Sequence, residues 1–281
     1  MSLVQPDRRF LLVGATASAL APPVFARTDD PPSFPLELSG TPQQSGLMLG
    51  RTVANARIRL DDIDLRADEN GAFVIGFDRD APREAILIVT ARNGASQRRV
   101  LTIAPRTYKT SQVNGLPPGT VNPPPEVAAR IAREAATKNA AFASIAPGIG
   151  FLERFSWPVS PARITSPWGA QRILNGSKQR PHYGIDIGVP TGTAIRAPAS
   201  GVIIIAEPDY WFEGGLTAID HGQGLQTIYL HQSRIDVKAG QQVTRGTVIG
   251  AVGAKGRATG PHLCWRMRWR GRQCDPSLRT V

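Results

Sequence analysis

The sequence predicts a mainly β protein: a small N-terminal β-sandwich, a proline-rich linker carrying one helix, and a larger C-terminal β domain. Three observations lead there. Short alternating or β-branched runs recur along the chain. Gly-, Asn- and Pro-rich turns separate them. One alanine-rich stretch has helical spacing. The 281 residues suffice for one large domain or two modest ones. With 41% hydrophobic and 20% charged residues, neither a collagen-like nor a wholly disordered chain fits. No apolar run reaches the roughly 18 residues that a membrane helix needs.

Residues 1–26 read as an export signal. Arg8-Arg9 precedes an apolar stretch that begins at Phe10 and ends near Pro22, and Val24-Phe25-Ala26 offers small residues at −3 and −1 of a cleavage site. The paired arginines suggest the twin-arginine route. A periplasmic or extracellular location is therefore expected. The whole chain carries a net charge of +11. Cleavage would remove only Asp7, Arg8 and Arg9 among the charged residues, so the basic excess belongs to the mature protein. Such a charge favours an anionic partner. Export makes nucleic acid a poor partner and cell-wall polymer a better one.

Residues 27–35 are rich in Pro and Asp and read as a tether. Residues 34–106 hold four β-type runs, at 56–60, 72–77, 86–91 and 100–103. Arg57-Ile58-Arg59-Leu60 alternates as a half-buried strand does. Asn70-Gly71 and Asn93-Gly94 are expected as hairpin turns, since both residue types tolerate φ > 0. This module has no His or Cys and is expected to bind or to space. Residues 107–154 follow as linker and helix. Leu116-Pro117-Pro118-Gly119 and Asn122-Pro123-Pro124-Pro125 stiffen an extended segment. Val127, Ile131 and Ala135 then predict a helix over 126–143.

Residues 155–281 are expected to be all β. Strands are predicted at 202–205, 225–230, 242–244 and 248–250, with a turn at Asp220-His221-Gly222-Gln223-Gly224. All four histidines and both cysteines fall here. In His182-Tyr183-Gly184-Ile185-Asp186 two potential zinc ligands lie four residues apart, about 13 Å on a straight strand, so a bend at Gly184 is required for them to meet. His262 and Cys264 stand at i and i+2, on one face of a strand. His231 follows an apolar run, where it can face a cleft or cap the sheet, and His221 sits in the Gly-rich turn as a structural residue. His182, Asp186 and Cys264 together make three ligands of types zinc accepts, leaving a fourth position for water as in catalytic sites. His231 and His262 remain for proton transfer and charge stabilisation.

The stretch His182–Asp186, then Thr191-Gly192-Thr193-Ala194-Ile195-Arg196-Ala197-Pro198, Gly201-Val202, Tyr229-Leu230-His231, Gly240-Gln241 through Gly250, and Gly260-Pro261-His262-Leu263 closely resembles the lysostaphin-type zinc metallopeptidases, the M23 or LytM-like family. The resemblance covers residues 155–277. It implies an antiparallel β fold, a bound Zn2+, and cleavage of the peptide cross-links of bacterial peptidoglycan. It implies His182 and Asp186 as metal ligands and His231 and His262 as the catalytic, non-ligand pair. Arg172 and Asn175, upstream of the first motif, are expected at the substrate cleft. One position departs from the family pattern: its closing motif is His-x-His, and here the second His is Cys264. Cys264 can bind zinc as a thiolate, or it can pair with Cys274, the only other cysteine. Paired, it could not be a ligand, and the domain would be a non-catalytic peptidoglycan-binding or regulatory module. Biotinyl or lipoyl carriers are excluded because no suitably flanked Lys is present. The Gly250–Gly260 stretch is not a phosphate-binding loop and reads as a loop beside the cleft.

Overall fold

The computed structural model describes residues 34–114 and 123–280. The export signal and nearly all of the tether lie outside these residues, as does Leu116–Gly119. In the N-terminal module, β1 (Glu37–Ser39), β2 (Leu47–Arg51), β3 (Arg57–Leu60), β4 (Ile63–Arg66), β5 (Ala72–Gly76), β6 (Glu84–Thr90) and β7 (Ser96–Thr102) form two sheets, ordered β1-β2-β5 and β4-β3-β6-β7. The alternation read from the sequence is realised. Ile58 and Leu60 point inward while Arg57 and Arg59 face water, and Ala85, Leu87 and Val89 do the same from β6.

Asn93-Gly94 closes the β6–β7 hairpin as expected. Asn70-Gly71 does not make a hairpin. It joins β4 to β5, which belong to different sheets. Asp68 sets this turn by accepting from the backbone N–H of Asn70 at 2.8 Å and of Ala72 at 2.7 Å. Gly71, at φ 78°, lies so close to Thr52 that a Cβ would meet its carbonyl oxygen at 1.9 Å. An Asn-Gly pair reports its local φ preference, not which sheet receives the next strand.

The linker is less of a spacer than its prolines suggest. Residues Thr110–Val113 form β8. Helix α1 spans Ala128–Phe142 after a single 3-10 turn that starts at Pro125, close to its expected bounds. Its alanines supply helix propensity, and a proline suits a helical first turn, whose N–H groups lack partners anyway.

The C-terminal domain contains β9 (Ile164–Ser166), β10 (Gln171–Leu174), β11 (Ser177–Lys178), β12 (Ile185–Ile187), β13 (Ala194–Arg196), β14 (Gly201–Tyr210), β15 (Gly214–Asp220), β16 (Leu225–Ile235), β17 (Gln242–Val243), β18 (Val248–Val252), β19 (Leu263–Trp269) and β20 (Arg272–Cys274). The main sheet runs β17-β14-β15-β16-β19-β12-β9, with β13, β18 and β20 paired off this path. Pairing within it is antiparallel. Strand β8 pairs in parallel with β10, so the linker adds an edge to the small β10–β11 sheet.

Strand β19 organises both domains. Leu263 and Trp265 fill the C-terminal core, with Ile185, Ile187 and Tyr229 around them. Met267 and Trp269, on the same face, enter a second core shared with Phe73, Phe77 and Leu87 of the sandwich. This continuous apolar contact is reinforced by Arg272, which donates to the Gly76 carbonyl at 3.1 Å, and by the Arg106–Asp275 ion pair at 2.9 Å. The described residues consequently pack as one unit, and the N-terminal module is docked on its neighbour. The opposite face of β19 carries Cys264, Arg266 and Arg268, and it is this face that builds the site.

Candidate metal centre and active site

Register places the first two candidate ligands. Asp186 on β12 is directly opposite Cys264 on β19, so their side chains share a face at cross-strand distance. His182 lies before β12, where the chain bends. Its N–H donates to the Ala170 carbonyl at 2.8 Å, and its own carbonyl accepts from Gly169 at 2.8 Å. The bend brings His182 Nε2 to 3.1 Å from Asp186 Oδ1 and 3.3 Å from Cys264 Sγ. Gly184 acts here through its lack of a side chain: a Cβ would meet Cys264 Sγ at 2.8 Å and Arg266 Cγ at 2.9 Å.

Oδ1, Nε2 and Sγ are all within 4.8 Å of one another and are all buried. Tetrahedral ligands at 2.0–2.3 Å from an ion stand about 3.3–3.6 Å apart, close to the separations seen. Asp186 Oδ1 is buried without a hydrogen bond, although the His182 ring lies beside it. His182 Nδ1 faces Ser166 Oγ at 3.4 Å. With the proton on Nδ1, the Nε2 lone pair points at the cluster. Three donor atoms of types that zinc accepts thus converge on one point, which fits a metal ion once the Cys264 thiol proton is lost.

The electrostatics agree. Burial pushes the Asp186 carboxyl upward, but His182, His262 and Arg172 outweigh it and hold the group well below the carboxylate range. Arg172 donates to Asp186 Oδ2 at 3.0 Å, leaving Oδ1 for the cluster. Burial lowers the pKa of His182 and pushes the Cys264 thiol up to about 12. A metal ion must therefore displace the thiol proton to be bound there.

His231 and His262 stand beside this cluster, their ring centroids 4.7 Å apart. His231 Nδ1 donates to the Lys255 carbonyl and His262 Nδ1 to the Gly260 carbonyl, both at 2.8 Å. A carbonyl only accepts, so Nδ1 carries the proton in each ring and Nε2 remains for the cavity. His262 Nε2 is 3.7 Å from Asp186 Oδ1. Burial, followed by the nearby His262, lowers the His231 pKa to about 4, which keeps that imidazole neutral near pH 7.

The expectation that His231 ends its strand is corrected. Strand β16 continues to Ile235, and His231 sits at an irregularity where Gly215 pairs with Gln232 and Thr217 with Tyr229. The extra residue is accommodated by a φ of 66° at His231. Such bulges re-aim a side chain, here into the cavity. His221 is structural, as expected. Its Nδ1 donates to the Ser200 carbonyl at 2.8 Å, and its Nε2 meets Thr227 Oγ1 at 2.7 Å.

All five core residues, His182, Asp186, Cys264, His231 and His262, line one cavity of about 520 Å³ together with Arg172. Asn175 lies outside that lining; it occupies the β10–β11 turn with φ 47°. Glu213, Arg257 and Arg266 line the same cavity; Arg257 stands in the Gly250–Gly260 loop expected beside the cleft, whereas Glu213 and Arg266 lie outside the residues read from the sequence. The signal for Arg266 was present, two residues beyond Cys264 on the same strand face.

Cys264 and Cys274 are both free thiols. The disulfide alternative is excluded by register: Cys274 pairs with Met267, three residues along β19 from Cys264. An odd offset places the two sulfurs on opposite sheet faces, with Cα atoms roughly 11 Å apart, well beyond bridging range.

An antiparallel sheet holding a His, an Asp and a Cys around one point, with two backbone-anchored histidines at its mouth, defines a metallopeptidase-type site. Residues 180–276 match peptidase family M23. A crystal structure from Pseudomonas aeruginosa assigned to peptidase M23 superposes with a TM-score of 0.65 at 31% identity, covering 85% of this chain and 95% of that one. The chain belongs to peptidase family M23. It is 40% identical over 118 residues to the peptidoglycan DD-endopeptidase ShyA of Vibrio cholerae, covering 41% of this chain and 27% of that protein. It is 39% identical over 119 residues to the DD-carboxypeptidase/endopeptidase Mpg of Neisseria meningitidis serogroup B, covering 42% and 27% respectively. The chain spans about a quarter of the length of these curated relatives.

Proposed function

We propose that this protein is a secreted zinc metalloendopeptidase that hydrolyses the peptide cross-links of bacterial peptidoglycan. The observation that carries this reading is the convergence of His182 Nε2, Asp186 Oδ1 and Cys264 Sγ beside the two Nε2 atoms of His231 and His262. A mixed nitrogen, oxygen and sulfur donor set suits Zn2+. When bound, zinc supplies Lewis-acid activation of water and of the scissile carbonyl.

The chain's own residues do the rest. Arg172 fixes the Asp186 carboxylate so that Oδ1 is the ligand oxygen. The Lys255 and Gly260 carbonyls fix the tautomers of His231 and His262. As water adds to the carbonyl carbon, its proton passes to Nε2 of this pair. The imidazolium so formed steadies the developing oxyanion, then returns the proton to the leaving amine as the C–N bond breaks. A thiolate ligand brings more negative charge to the site than an imidazole would. Arg172 beside Asp186 and Arg266 beside Cys264 oppose that charge.

The relatives named as peptidoglycan endopeptidases and the net charge of +11 support a cell-wall substrate. The Arg8-Arg9 signal supports export. The test is zinc content and release of soluble peptides from purified peptidoglycan by the mature protein. One zinc per chain with peptide release is expected. Zinc-free protein that binds peptidoglycan without cleaving it would overturn the enzymatic reading in favour of a wall-binding module.

A further inference from the structure

The cavity holds more positive charge than its own acids balance. Arg172, Arg257 and Arg266 line it, against Asp186 and Glu213. Asp186 is engaged by Arg172 and the metal-ligand cluster, and Glu213 Oε1 is engaged by Lys138 of helix α1. Among the described residues, neither Arg257 nor Arg266 has a carboxylate within ion-pair distance. Arg266 Nε is buried with no hydrogen-bond partner. Leaving a buried donor unmade is costly, and more so when it belongs to a charged group.

Both arginines are held in place. The Arg257 backbone N–H donates to the Phe212 carbonyl at 2.8 Å, and its guanidinium lies 4.9 Å from the centre of the Phe212 ring. Arg266 extends from β19 on the same face as Cys264, opposite Ile228 of β16. Partial burial, then the charges of Arg172 and Arg266, lower the Arg257 pKa, outweighing the opposing effect of Glu213, as expected where guanidiniums crowd.

We propose that Arg257 and Arg266 form a carboxylate-recognition subsite beside the metal centre, so that the preferred substrate is a peptide with a free carboxylate on the residue next to the scissile amide. This rests on the peptidase reading above. Guanidinium and carboxylate are matched in charge and in planar donor geometry, and their hydrogen bonds are charge-assisted. A carboxylate here would supply the missing acceptor to Arg266 and anchor the peptide within reach of the two histidines.

The experiment uses two synthetic peptides with the same D-alanyl scissile bond. The following residue carries a free carboxylate in one and a carboxamide in the other. Equilibrium binding is measured with zinc-loaded His231→Ala protein, which prevents turnover, and with Arg257→Gln, Arg266→Met and Arg266→Lys added to it. The acid is expected to bind about tenfold or more tightly than the amide. The ratio should fall toward one in Arg257→Gln and Arg266→Met, with Arg266→Lys keeping part of it, and zinc content should be unchanged in Arg257→Gln. A ratio near one in the parent, or one that survives both substitutions, overturns the subsite. Zinc loss in Arg266→Met with the binding ratio kept would assign Arg266 to the Cys264 thiolate instead. Failure of the unsubstituted protein to cleave either peptide would count against the peptidase reading, whatever the binding ratio.

Discussion

Cys264 and Cys274 point to opposite faces of the β19–β20 hairpin, the first into the candidate metal cluster and the second into the core shared with the N-terminal sandwich. The only two cysteines of the chain therefore do unrelated work. Cys274→Ser should leave zinc content unchanged and act on stability alone, because the thiol is buried against the sandwich. Cys264→Ser should weaken zinc binding beyond the roughly 10–100-fold typical of outer-shell changes. Cys264→His should retain the metal. Chelator competition measures all three, and a Cys264–Cys274 bridge found by mass spectrometry would contradict the assignment.

His231→Ala and His262→Ala should keep zinc and lose about 10²–10⁴-fold in peptidoglycan hydrolysis, the usual range for a general acid or base. His182→Ala and Asp186→Ala should lose the metal itself, since their atoms form the cluster. Metal analysis beside turnover separates the two classes, and equal zinc loss in all four would refute the division.

Gly184→Ala should damage the site more than the fold. The new methyl would press on Cys264 Sγ at 2.8 Å and on the Trp265 carbonyl at 3.2 Å. Overpacking of this kind costs about 1–3 kcal/mol. Zinc affinity should fall sharply while the circular dichroism spectrum stays β-type; unaltered zinc affinity would show that the cluster tolerates the shift.

His221 should make the fold acid-sensitive. Burial lowers its pKa from 6.5 to about 4, so the folded state resists a proton that the unfolded chain accepts. Its contribution is present above pH 6.5 and is lost as pH falls toward 4, by about 3 kcal/mol. Urea unfolding of His221→Gln should show a flatter dependence on pH than the parent between these values. Parallel profiles would mean that His221 is not a source of the sensitivity.

If the export signal operates, the mature protein begins at Arg27 and is found outside the cytoplasm. N-terminal sequencing of the native protein checks this, and an intact Met1 on cytoplasmic material would contradict it.

The sequence by itself determined the mainly β class, helix α1, the β6–β7 hairpin and the five residues at the centre of the site. Each had a local signature: alternation at Arg57–Leu60, alanines in α1, Asn93-Gly94 in its turn, and short motifs around His182, His231 and His262. Strand β15 had none, because it is buried along its whole length and shows no alternation. Strand β8 is a strand through its pairing with β10. Only the tertiary structure separated Cys264 from Cys274, since register and sheet face are properties of paired strands. Likewise, only the fold set Arg257 and Arg266 in one cavity without a carboxylate partner, because charge balance at a site depends on elements far apart in the chain.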